Sequence, residues 1–139
     1  MKIIISFILL FIFWGILPES IQAQNFHKFR AKFVSTKEYK DYGGWDDWSE
    51  WSELNYLITI DLDDGRVSIF ANEQINFDII DYDYDETSNR KTIYLKTIDD
   101  YGVQCRIRFV YDEVEEDRQL YVDYENFIVV YSLKALTSY

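Results

Sequence analysis

Three tryptophans fall within seven residues, Trp45-Asp46-Asp47-Trp48-Ser49-Glu50-Trp51, just after the Gly43-Gly44 pair. Flat rings flanked by carboxylates and a hydroxyl offer stacking faces and hydrogen bonds together. That combination suits recognition of a carbohydrate, a peptide or a cationic group. The plainer alternative is that the indoles plug one end of a small barrel, with Trp48 on the inward parity of Leu54 and Tyr56 and Trp51 pointing outward. Arg106 and Arg108 alternate with Ile107 and Phe109. Both therefore point outward, where a guanidinium stacks on an aromatic of a neighbouring strand if one is present.

A second constellation is acidic. Asp81, Asp83 and Asp85 alternate with Tyr82 and Tyr84, which places three carboxylates on one face of a strand. Two carboxylates two residues apart are within reach of a weak Ca²⁺ site. The competing reading is a solvated face paired with Lys28, Arg30, Lys32 or Arg106. Counted from Asp81, an EF-hand loop needs Gly at its sixth position and Glu at its twelfth, where this chain has Glu86 and Thr92.

Catalytic groupings are scarce. His27 is the one histidine and Cys105 the one cysteine. Cys105 shares the parity of Val103, Ile107 and Phe109 and reads as a small core residue rather than an activated thiol. Hydrolysis by paired carboxylates needs two acids facing across a cleft, and 25 acidic residues favour no particular pair. There is no histidine-rich metal set, phosphate loop or nucleotide fingerprint. The expectation is a non-enzyme without a cofactor.

The spacing of Trp45, Trp48 and Trp51 resembles the W-x-x-W-x-x-W run of thrombospondin type 1 repeats. The resemblance covers those seven residues only. Such repeats are stapled by several disulfides, and a chain with one cysteine forms none internally, so no fold, ligand or residue role is carried over.

Short runs of period-two alternation, separated by acidic or Gly-containing turns, must position these groups. Tyr56–Ala71 reads as a hairpin closed by Asp64-Gly65, with Leu62 opposite Val67 and Ile60 opposite Ile69. A second tight hairpin turns at Glu125-Asn126, pairing Val122 with Val129 and Leu120 with Tyr131. In Gln74–Tyr84 the apolar parity switches between Ile79 and Ile80, the signature of a β-bulge. In Asn25–Ser35, Phe29, Ala31 and Phe33 face inward, while Lys28, Arg30 and Lys32 face outward toward acidic cross-strand partners. Thr36–Asp47 reads as a loop with at most one helical turn. The sum is one all-β domain, an antiparallel meander of about eight strands closing into a barrel or folding into a two-sheet sandwich.

Met1-Lys2, the apolar run Ile3–Leu17 and the small residue Ala23 make a secretory signal peptide over residues 1–23, cleaved before Gln24. The run is short for a membrane span, so membrane contact is expected only through an uncleaved leader. Residues 24–139 suffice for one domain and not two. The leader holds one basic residue (Lys2) and one acidic residue (Glu19), so the mature net charge stays at −11, which repels phosphate backbones and excludes nucleic acid. The expected role is an exported binding module, secreted or in the cell envelope, working through the Trp45–Trp51 end. The alternatives are a carrier holding a small apolar ligand inside the barrel, or a structural envelope protein. Large inward residues such as Phe29, Phe77 and Phe109 weigh against the carrier.

Overall fold

The computed structural model describes residues 26–136. The expected leader over residues 1–23 lies outside the described residues. Among the described residues, alternation of apolar and polar side chains gives nine strands in chain order: β1 (Phe26–Lys40), β2 (Gly44–Trp45), β3 (Ser52–Asp61), β4 (Arg66–Phe70), β5 (Gln74–Glu86), β6 (Arg90–Asp99), β7 (Gln104–Asp112), β8 (Asp117–Asp123) and β9 (Phe127–Ala135). All pairings are antiparallel. Neighbours in sequence are neighbours in the sheet, and β9 returns to pair with β1. Eight strands thus close into a barrel, and the two-residue β2 is an extra rung on the far end of β1. Closure removes the sheet edges that an open meander would expose.

The interior is filled by side chains of every barrel strand, among them Phe29, Ile58, Ile69, Phe77, Leu95, Phe109, Leu120 and Leu133, all at most 7 % exposed. Phe29 and Phe109 meet inside at 5.3 Å between ring centroids. At the end carrying the β3–β4 turn, Leu62 and His27 are buried, and Arg118 lies over the Tyr111 ring at 4.9 Å. The other end carries the β4–β5, β6–β7 and β8–β9 turns and holds an open cavity of about 630 Å³.

The first hairpin pairs two residues further out than the two-residue turn predicts: Ile60 faces Val67 and Asp61 faces Arg66. The cause is Asp61, whose Oδ1 accepts from the Asp63 and Asp64 amides at 3.1 and 3.2 Å. With Gly65 at φ +67°, this makes a four-residue turn that tucks Leu62 inside. A two-residue displacement preserves every face, so the inward set is unchanged. The second hairpin has the expected register, Leu120 to Tyr131 and Val122 to Val129. The expected bulge falls between Ile79 and Asp81.

β1 departs most from the sequence reading. It runs through Thr36 to Lys40 as strand rather than loop, because β9 supplies a partner as far as Glu38, opposite Phe127. A bulge between Ala31 and Phe33 reverses parity, so Phe33 is exposed and Val34 packs against the core. Two of the three basic residues have no acidic cross-strand neighbour: Lys28 faces Thr59, and Arg30 faces Leu57 and Lys134.

Candidate functional site

Cross-strand register builds two rows across the outer wall. One runs Asp83, Tyr94, Arg108, Tyr121, Val130, Ser35; the other runs Asp81, Lys96, Arg106, Asp123, Ile128, Lys37. Asp123 ties the arginines together. Its Oδ2 accepts from Arg108 Nε at 2.6 Å and Arg106 Nε at 3.0 Å, and its Oδ1 accepts from Arg108 Nη2 at 2.8 Å. So held, Arg108 stacks 4.0 Å over Tyr121 and Arg106 5.2 Å over Tyr94. Beside them lies a shallow groove of about 510 Å³ bounded by Asp81, Asp83, Tyr94, Lys96, Arg106 and Arg108. Among the described residues Lys96 makes no ion pair.

The tryptophan segment is a strap on the outside of β1. Trp45 pairs with Tyr39, the Asp46 amide donates to Glu38 O at 2.8 Å, and the Ser49 amide donates to Thr36 O at 2.8 Å. Ser35 Oγ donates to Ser49 O at 2.7 Å, and the Thr36 amide donates to Ser49 Oγ at 3.0 Å. Lys37 Nζ sits 4.7 Å from the Trp48 ring and 5.7 Å from the Trp45 ring. Trp48 reaches across β9 to meet Tyr121 edge-on at 6.2 Å. Ser35 and Val130, both on the outer wall, are buried beneath. Trp51 joins Phe33, Gln119 and Ser132 in a second groove of about 340 Å³.

The tryptophans therefore do not plug the barrel, and Trp48 does not take the inward parity of Leu54 and Tyr56. Trp45, Trp48 and Trp51 keep 39, 40 and 50 % of their surface exposed. The reason is backbone pairing: residues 46–49 remain hydrogen-bonded alongside β1 and enter β3 only at Ser52.

No known protein family, curated protein or solved structure matches the chain. The site rests on its own geometry.

The acidic face does not gather as a cation site. Asp81, Asp83 and Asp85 stand on the outer wall opposite Lys96, Tyr94 and Thr92. Asp81 Oδ1 and Asp83 Oδ1 each accept from the next backbone amide at 2.8 Å. Among the described residues no three acidic, histidine or cysteine side chains converge as metal ligands.

Cys105 and His27 lie toward opposite ends of the barrel and form no dyad. Cys105 is the second residue of β7 and is buried with its Sγ 3.2 Å from Thr97 Oγ1; burial pushes its thiol up. His27, 2 % exposed near the start of β1, is pushed down to about 4 by burial.

Sequence reasoning missed Tyr94, Tyr121, Asp123 and Lys37. Tyr94, Tyr121 and Asp123 alternate with apolar or aromatic neighbours and so were legible as outward, whereas Lys37 lies between Thr36 and Glu38 in a stretch that reads as loop. What was missing was the lateral order of the strands, which alone puts the four beside Arg106, Arg108 and Trp48.

Proposed function

We propose that this chain is an exported, non-catalytic binding module that recognises a carbohydrate along the outer wall of its barrel, between Trp51 and the Arg106–Arg108 groove. The observation that carries this reading is the strap: three indoles, held by backbone and serine hydrogen bonds, each leave about half or less of their surface open to solvent. Exposed aromatic surface opposes solubility, and monomeric proteins that maintain it commonly use it for contact. The groove adds Asp81 and Asp83 as acceptors and Lys96, Arg106 and Arg108 as donors within one trough. Neighbouring groups of both signs favour a ligand that both donates and accepts, as sugar hydroxyls do, over one of a single charge. The filled interior supports placing recognition outside the barrel.

A glycan panel screened with the mature protein tests this. Binding should be saturable, and Trp51→Ala or Trp48→Ala should weaken it at least about tenfold while far-UV circular dichroism is unchanged. A peptide panel run alongside decides the ligand class: peptide binding without glycan binding replaces the carbohydrate. Full glycan binding by both variants removes the strap from the site.

A further inference from the structure

The open end of the barrel is chemically unlike the outer wall. Its cavity of about 630 Å³ is lined by the aromatic side chains Tyr56, Tyr101, Tyr124 and Phe127. Two carboxylates, Glu73 and Asp99, share the polar lining with Asn72 and Asn126, and no lysine or arginine contributes. Tyr56, Ile75 and Tyr124 pack against the core, so the floor is apolar. Tyr124 and Phe127 stack at 4.7 Å between centroids, which presents a broad ring surface. Asp99 is fixed rather than free: its Oδ1 accepts from the Tyr101 and Val103 amides, both at 2.9 Å, and its Oδ2 accepts from Tyr124 OH at 3.0 Å.

We propose that this end of the barrel binds an organic cation, an alkylated ammonium group carried on a small apolar body. An aromatic face attracts a cation through its negative quadrupole, most strongly where water is partly excluded. Two carboxylates with no basic residue set the sign of the site and exclude an anion. A neutral apolar ligand would use the floor and leave the charge of the two carboxylates unmatched. A bare metal ion would need several converging ligands, and among the described residues no three acidic, histidine or cysteine side chains converge. Burial alone would raise the Asp99 carboxyl, but the hydrogen bonds from Val103, Tyr124 and Tyr101 hold it below its ordinary value, so it stays charged at neutral pH. A net charge of −11 further concentrates cations near the protein.

The test is titration calorimetry of the mature protein with choline and, separately, with its uncharged carbon isostere 3,3-dimethylbutan-1-ol. Choline should bind saturably and at least about tenfold more tightly than the isostere. Tyr101→Ala and Glu73→Gln should each weaken choline several-fold; both side chains are exposed in turns, and a circular dichroism spectrum checks that the fold is kept. Equal affinity for the isostere would make this an apolar pocket and overturn the proposal. Absence of choline binding up to high millimolar concentration would overturn it too. So would choline binding that survives both substitutions, because the cation would then sit elsewhere.

Discussion

At the residue scale, burial rather than catalysis explains the two groups that first invite a chemical reading. Cys105 is a core residue against Thr97, and its raised thiol is a poor nucleophile at neutral pH. His27 is held neutral inside the barrel, and this has a consequence for pH. Its folded value of about 4 lies below the unfolded value of 6.5, so the unfolded chain binds more protons between those limits. Stability from this source is fully present above 6.5 and is lost as pH falls toward 4. At about 1.4 kcal/mol per pH unit of difference, the loss approaches ~3 kcal/mol. Asp99, with a lowered value, contributes in a separate window below the ordinary carboxylate range. Acidification also discharges a surface of net charge −11, which works in the opposite direction. The comparison of wild type with His27→Gln isolates the histidine. Urea midpoints at pH 7, 5.5 and 4.5 should fall more steeply for wild type than for the variant. Parallel curves would mean that the His27 environment accepts the proton.

At the element scale, three of the 25 acidic residues serve turn chemistry. Asp61, Asp99 and Asp112 each accept two backbone amides of the turn that follows them, so a stretch that reads as a charge cluster acts as a loop template. Local alternation made the inward faces of β3 to β9 legible, and it located the bulge at Ile79. It misplaced the first turn by two residues because the Asp61 cap is not visible in a hydrophobic pattern. It also ended β1 too early, because strand propensity at Thr36–Lys40 depends on β9, more than 80 positions away in the chain. The strap was misread for the same reason: its anchors, Ser35 and Ser49, declare themselves only once the two segments lie side by side. Ser35→Ala removes the hydrogen bonds to Ser49. We expect a cost of about 1 kcal/mol, faster hydrogen exchange at the Ser49 amide, and easier acrylamide quenching of the indoles. A variant that melts at the wild-type temperature with unchanged quenching would show that the strap is held by Trp48 and Lys37 instead.

At the scale of the whole molecule, closure decides how the protein responds to damage. Every barrel strand is hydrogen-bonded on both sides, β1 included, since β3 and β9 flank it. A strand so held cannot slide to fill a void, and an open sheet edge can. Phe109 tests this. It is fully buried, meets Phe29 at 5.3 Å, and has the buried residues Ile93 and Leu120 as its cross-strand neighbours. Phe109→Ala therefore leaves a cavity whose walls cannot collapse, and the cost should lie toward the upper part of the ~3–5 kcal/mol range for such truncations. Because the ring of pairings is continuous, loss of one layer should weaken the barrel as a unit. Urea unfolding followed by tryptophan fluorescence, which reports the strap on β1, β9 and β8, should coincide with unfolding followed by far-UV circular dichroism, which reports all strands. A fluorescence transition that precedes the loss of strand signal would mean that the barrel opens first at the β1–β9 seam. The longest-range pairing in the chain would then be its weakest, and the outer-wall site that straddles this seam would be the first feature lost.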